Sequence, residues 1–199
     1  MEDMTDYEVG NQSVGATLAQ TELAIDELAK LHASFWEKVD HLEWVPGIAE
    51  SYHADNMNNL ANSGWDTMVE TFGDFIPEHI RAQRDRFLAA IPALQAERMS
   101  APITLCHGDF RMENLLYGIQ PEHHPVAVID WQGPLKARGM FDVALFLGQS
   151  TKVEVRQSQE KQILERYLDG LVKRGVSGLS FDDLWKDYQS CMLYDWVYT

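Results

Sequence analysis

The sequence has few basic residues and few cysteines. Of its 199 residues, 16 are Lys or Arg and 31 are Asp or Glu, which gives a formal net charge of −15. A surface that binds nucleic-acid phosphates needs the opposite sign, so this composition argues against a nucleic-acid partner. Only two cysteines occur, Cys106 and Cys191, and no C-x-x-C pair is present, so we expect no disulfide framework. A reducing compartment, the cytoplasm, is therefore predicted.

Long apolar runs are also missing. No stretch approaches the ~18 apolar residues that a membrane span needs, and the acidic N-terminus does not resemble a signal peptide. We therefore expect a soluble protein without a membrane span. The remaining composition, 45% hydrophobic and 11% aromatic, is that of an ordinary globular chain. A chain of 199 residues is long enough to bury a substantial core.

The acidic residues are concentrated at the beginning of the chain. Residues 1–60 contain twelve acidic residues but only two basic ones, Lys30 and Lys38. Two interpretations remain open. This region forms a solvated acidic face, since net charge acts first on solubility, or it forms an acidic rim that attracts a cationic substrate.

Hydrophobic periodicity predicts a mainly helical α+β chain with short strands at its centre. Helical spacing is found over residues 15–37, 65–75, 77–97, 141–147, 153–174 and 181–199, whereas residues 37–62 are predicted to be irregular. Short apolar runs typical of strands lie at residues 103–105, 115–117 and 126–129, and the last two are joined as a hairpin. Pro92 is expected to kink or split its helix, and Ser180 is expected to be an N-cap. His32 is interpreted as a packed or capping group.

The densest polar segment is Leu105–Gly118, LCHGDFRMENLLYG. Asp109 and Asn114 lie five residues apart in it, and Asp130 follows sixteen residues later, directly after a predicted strand. An Asp that accepts a proton, together with an Asn and an Asp that hold magnesium, meets the needs of phosphoryl transfer. Mg²⁺ prefers hard oxygen ligands, which amide and carboxylate groups supply.

The segment His107–Asn114 resembles the H-G-D-x-x-x-x-N catalytic loop of the aminoglycoside phosphotransferase and choline kinase superfamily, which has a protein-kinase-like fold. Val128–Gln132 resembles the strand that ends in the family's metal-binding Asp, and Gly139–Ala144 is similar to the family's G-x-x-x-D-L-A helix start. Leu28–His32 resembles an early helix of the family, and Glu2–Met4 resembles the linker between the two lobes. The details are nearest to the ecdysteroid-kinase-like (CHK kinase-like) branch and to the phosphotransferase-like domains found with acyl-CoA dehydrogenases.

The resemblance implies a role for each polar residue of the loop. Asp109 would accept or orient the proton of the substrate hydroxyl. Arg111 would either contact the transferred phosphate or form an ion pair with a neighbouring acid such as Glu113. His107 would brace the loop through hydrogen bonds to the backbone.

The resemblance also implies partners for the loop. Asn114 and Asp130 would hold Mg²⁺. Asp142 would cap its helix and also brace the loop. No motif identifies the residues that bind the acceptor.

Two parts of a complete kinase are missing from the sequence. No G-x-G-x-x-G occurs, and no lysine precedes Lys30, which lies on a predicted helix. Gly10–Thr17 (GNQSVGAT) has the glycine spacing of a P-loop, but Ala16 stands where lysine is needed, so this interpretation is rejected. We therefore expect the C-terminal lobe alone, at residues 15–199, with the N-terminal β lobe absent. Residues 1–14 would be a remnant of the inter-lobe hinge, and the uncapped last helix predicts truncation at the C-terminus.

The resemblance implies an ATP-dependent, Mg²⁺-dependent kinase that phosphorylates a hydroxyl of a small molecule. Only eleven residues separate Asp130 from Asp142, too few for the activation segment of a protein kinase. Without the N-terminal lobe, this piece is expected to be inactive alone. The alternative is a non-catalytic kinase-like module with a binding or regulatory role. A metal-dependent hydrolase using His107, Asp109 and Asp130 is rejected, because the further His and Asn ligands of such sites are not found.

Overall fold

The computed structural model describes residues 4–198, so Glu2 and Asp3 of the predicted linker lie outside the described residues. The helices are α1 (Leu18–Phe35), α2 (Ser51–Phe72), α3 (Glu78–Arg81), α4 (Arg84–Arg98), α5 (Met140–Gln149), α6 (Val153–Val172) and α7 (Phe181–Tyr194). The strands are β1 (Glu8–Val9), β2 (Thr104–Cys106), β3 (Leu115–Tyr117), β4 (Val126–Val128) and β5 (Leu135–Ala137). The predicted mainly helical α+β class is confirmed. Across residues 4–198, no helix has the length and apolar character needed to cross a bilayer.

The strands form two small antiparallel sheets. One has the order β1-β3-β4, and the other is the pair β2-β5. The predicted hairpin is β3-β4, in which Leu115 is paired with Val128 and Tyr117 with Val126. Strands β1 and β5 were not predicted, because two or three residues carry no alternating pattern and their partners lie far along the chain.

Two hydrophobic clusters hold the central segment between them. The first unites α1, α5, α6 and α7 and includes Phe110 and Leu115. The second unites α2 and α4 with the end of α7 and includes Cys106 and Leu135. The segment between β2 and β3 therefore begins in one cluster and ends in the other, which fixes its position from both sides.

The extent of α2 differs from the prediction. It begins at Ser51, so the expected irregular region 37–62 is wrong over its last twelve residues. The beginning of α2 is rich in His, Asp and Asn, which are weak helix formers and give no clear apolar stripe. Its position is set by tertiary contacts: Trp65 packs in the second cluster, and the side-chain amide of Asn58 donates to Gln95 Oε1 at 3.2 Å.

Pro92 does not end its helix. The predicted helix over 77–97 is interrupted at Ala82 and Gln83 instead, and Pro92 lies within α4. Leu88 and Ile91 are buried, whereas Pro92 is exposed, so packing of the buried face outweighs the cost of the missing proline N–H.

Candidate active site

The turn that follows β2 requires glycine. Gly108 has a φ of +88°, and a Cβ placed there would lie 2.0 Å from the carbonyl oxygen of Gly133. A side chain at this position would therefore meet both the left-handed backbone and a backbone oxygen. The Gly of the H-G-D motif is explained by this close approach of two loops.

His107 links the loop to the end of β4. Its ring is buried, Nε2 lies 2.9 Å from the carbonyl oxygen of Ile129, and Nδ1 accepts from the backbone N–H of Asp109 at 3.3 Å. An acceptor at Nδ1 and a donor at Nε2 define one neutral tautomer. The Trp131 ring packs edge-on against the imidazole, with ring centroids 4.7 Å apart. His107 thus connects the residue after Gly108 with the residue before Asp130.

The buried carboxylate of Asp142 accepts hydrogen bonds from the loop backbone. Oδ2 accepts from the N–H of His107 at 2.7 Å, and Oδ1 accepts from the N–H of Gly108 at 3.1 Å. Asp142 lies in the first turn of α5, whose N-cap is Gly139. The predicted cap role of Asp142 is wrong, because both carboxylate oxygens are directed to the loop.

A second layer of side chains extends from Asp142 to α6. His32 Nε2 lies 3.3 Å from Asp142 Oδ2, and His32 Nδ1 lies 2.7 Å from the Tyr167 hydroxyl. Burial, and then the nearby Cys106 and Asp142, raise the pKa of the Tyr167 hydroxyl well above its usual value. The hydroxyl therefore stays protonated and can donate to Nδ1 when the Nε2 proton is directed to Asp142. His32 is packed, as expected, but Tyr167 was missed because nothing in its helical context marks it.

Asp109, Arg111 and Asn114 contact one another. Asn114 Nδ2 donates to the main-chain oxygen of Asp109 at 2.8 Å and to its Oδ2 at 3.2 Å. Arg111 Nε lies 3.3 Å from Asp109 Oδ1. The guanidinium is therefore paired with a neighbouring acid, which is one of the two expected alternatives, and that acid is Asp109 rather than Glu113. The Asp109 side chain is 34% exposed, so it is accessible from solvent.

The β3-β4 register brings Asp130 beside Asn114. The N–H of Ile129 donates to the carbonyl oxygen of Asn114 at 3.0 Å, and Asp130 is the next residue. Asp130 has a φ of +61°, a left-handed conformation that Asp tolerates better than most residues. Its exposed carboxylate has no hydrogen bond or ion pair with any residue in the range 4–198.

The donor set at this corner fits a hard divalent cation. Because Asn114 Nδ2 is directed to Asp109, its Oδ1 remains available as a ligand. Asp130 adds an unpaired carboxylate, so both groups offer oxygen, which Mg²⁺ prefers. A cleft of about 310 Å³ is lined by Phe110, Val128 and Trp131 together with residues of α1, and none of Asp109, Asn114 and Asp130 lines it.

The sequence matches the ecdysteroid kinase-like family over residues 1–175. The chain belongs to the ecdysteroid kinase-like family. This confirms the superfamily and the branch that the motifs resemble. No match is found among curated protein sequences.

Several small-molecule kinases share the fold. Choline kinase from Cryptosporidium parvum is similar with a TM-score of 0.57 and 13% identity, covering 97% of this chain and 61% of that one. Ethanolamine kinase from Plasmodium vivax has a TM-score of 0.56 and 16% identity, covering 96% and 54%. Aminoglycoside phosphotransferase APH(3'')-Id from Streptomyces rimosus, solved with ADP and streptomycin, has a TM-score of 0.50 and 20% identity, covering 94% and 67%. This member of the ecdysteroid kinase-like family thus spans 54–67% of the length of these three structures.

Proposed function

We propose that this chain provides the acceptor-activating and metal-binding part of a phosphotransferase that moves the γ-phosphate of ATP to a hydroxyl of a small molecule. The observation that carries the proposal is the grouping of Asp109, Asn114 and Asp130. Asn114 bonds to Asp109 through its side chain and to the residue before Asp130 through its backbone. Family membership, and the ADP bound to one protein of the same fold, support ATP as the donor.

Asp109 would orient the acceptor hydroxyl and accept its proton. Its carboxylate is partly exposed, so a substrate oxygen can approach it, and Asn114 Nδ2 holds Oδ2 in place. A base positioned by a second side chain is the arrangement that general-base catalysis needs. His107 and Asp142 would keep the backbone of the loop in register through the hydrogen bonds described above.

Asn114 and Asp130 would hold Mg²⁺. When bound, this ion neutralises charge on the phosphates during transfer. Arg111 is paired with Asp109 in this structure and is 41% exposed, so its guanidinium can turn to a phosphate oxygen when substrate binds.

The chain contains no glycine-rich phosphate loop, and no lysine precedes Lys30. We therefore propose that an N-terminal lobe completes the nucleotide site, and that these 199 residues alone transfer little or no phosphate.

Phosphate transfer from radiolabelled ATP over a panel of hydroxylated acceptors, using the full-length gene product, tests the proposal. Asp109→Asn should lower kcat about 100-fold or more while leaving Mg²⁺-nucleotide binding intact. Asp130→Asn should raise the Mg²⁺ concentration needed for half-maximal rate. Asp55→Asn is the matched control, because Asp55 is exposed on α2.

Two results would contradict the assignment. Full activity in Asp109→Ala would remove Asp109 from the reaction. Tight Mg²⁺-nucleotide binding by the wild-type protein, without transfer to any acceptor, would favour the non-catalytic binding or regulatory module instead.

A further inference from the structure

The segment rejected as a P-loop lies directly against the catalytic loop. The N–H of Gly10 donates to the carbonyl oxygen of Leu115 at 2.9 Å. A Cβ at Gly10 would lie 2.1 Å from the carbonyl oxygen of Met112, so only glycine allows this approach. Strand β1, which ends one residue earlier, pairs with β3. Residues 8–10 are thus hydrogen-bonded to β3, and Gly10 packs against the carbonyl oxygen of Met112 without a hydrogen bond to it.

Gln12 holds the other side of the same residue. Its Oε1 accepts from the N–H of Met112 at 3.2 Å and from the hydroxyl of Ser150 at 2.9 Å, and its Nε2 donates to the carbonyl oxygen of Gln149 at 2.7 Å. The Ser150 hydroxyl lies 3.1 Å from the Met112 nitrogen as well. Met112 is 2% exposed and Ser150 is 1% exposed, whereas Gln12 is half-buried, so the bond between Met112 and Ser150 is shielded from water and those to Gln12 are partly shielded. One side chain therefore joins the N-terminal segment, the loop and the end of α5.

Met112 begins the short 3₁₀ turn Met112–Asn114, directly after Arg111. Its N–H belongs to the peptide unit shared with Arg111, and its carbonyl belongs to the unit shared with Glu113. The carbonyl oxygen of Met112 accepts from the N–H of Leu115 and is packed against Gly10, while its N–H bonds to Gln12 and Ser150. Because peptide units are rigid, engaging both groups leaves little freedom in the turn. The turn closes when the N–H of Asn114 donates to the carbonyl oxygen of Arg111 at 2.9 Å.

We propose that Gly10 and Gln12 form a clamp on Met112 that positions Asn114 for Mg²⁺, with Ser150 as the partner of Gln12. Gln12 and Ser150 are positioning residues and touch no substrate. The metal role of Asn114 rests on the proposed function, whereas the clamp on Met112 does not. The first test therefore measures the loop itself, and the second measures the Mg²⁺ requirement.

The first test is hydrogen exchange of the Met112 amide, followed by NMR on this chain. Gln12→Met keeps the length of the side chain but removes its acceptor and donors. We expect the Met112 amide to exchange about fivefold faster, as loss of one hydrogen bond predicts. Ser150→Ala should have a similar effect, and the double variant should give less than the product of the two. Gln157→Met, at an exposed position of α6, is the control and should leave this amide unchanged.

The second test is steady-state kinetics of the full-length phosphotransferase. In Gln12→Met we expect about a tenfold increase in the Mg²⁺ concentration for half-maximal rate, as displacement of one supporting group around a metal ligand predicts, with an unchanged KM for the acceptor. Unchanged exchange at Met112 would overturn the clamp. Faster exchange with an unchanged Mg²⁺ requirement would overturn the positioning role. Absence of transfer by the wild-type enzyme would refute the proposed function, while the exchange result would still decide the clamp.

Discussion

Replacing Gly108 with alanine should destabilise the fold strongly, although the change adds a single methyl group. The left-handed backbone at φ +88° costs an L-residue about 1–2 kcal/mol. The new Cβ would also lie 2.0 Å from the Gly133 oxygen, so the two loops must separate by more than an ångström. Overpacking of this kind costs about 1–3 kcal/mol. The free energy of unfolding should therefore fall by about 2–5 kcal/mol.

Urea unfolding followed by circular dichroism measures this loss. With an m-value of about 2 kcal/mol per molar urea, the midpoint should fall by about 1–2.5 M. Gly133→Ala is the matched control, since a Cβ there meets no heavy atom within 4 Å, and its midpoint should stay near that of the wild type. Equal midpoints for the two variants would refute the reasoning, because the two changes differ only in backbone conformation and close contact.

Three further predictions concern buried polar groups. Asp142→Asn turns one of the two oxygens that accept from the loop N–H groups into a donor, so the free energy of unfolding should fall by about 2–4 kcal/mol. A urea midpoint equal to that of the wild type would show that the carboxylate is not needed. In Tyr167→Phe, His32 Nδ1 loses its hydroxyl partner, and the free energy of unfolding should fall by about 1–2 kcal/mol. The ¹⁵N chemical shifts of His32 should also change, and unchanged shifts would show that the hydroxyl does not bond there. Burial raises the pKa of Asp195 to about 7, partly offset by a hydrogen bond from Gln149, so the folded state binds an extra proton between about pH 4 and 7. Wild-type stability should fall with rising pH in that window, by at most about 1.4 kcal/mol per unit from this group, and in Asp195→Asn this part of the slope should disappear; an unchanged slope would contradict the raised pKa.

Features with a local cause were predictable from the sequence. Helix α1 follows from the apolar spacing that ends near Phe35, and the β3-β4 hairpin follows from two apolar runs around a Pro- and Gly-containing turn. Ser180 caps α7 as expected, because its side chain accepts from the N–H of Asp183 three residues later. In each case the interacting residues are close in sequence.

Features that depend on distant partners were not predictable. Strand β5 exists because Leu105 and Lys136 pair, and the first turns of α2 are stabilised by contacts to α4. Pro92 is tolerated inside α4 because the opposite face of the helix buries Leu88 and Ile91. Local propensity is too weak to decide such segments once tertiary packing opposes it.

The sequence by itself determined the chemistry that this chain offers, because the types and spacing of Asp109, Asn114 and Asp130 are written in it. Only the tertiary structure decided what holds that chemistry in place. Asp142 bonds to the loop across 35 residues, Gln12 across 100, and Tyr167 bonds to His32 across 135. No pattern in the chain marks such pairs, since their hydrogen bonds form only when packing of the helices brings distant segments together.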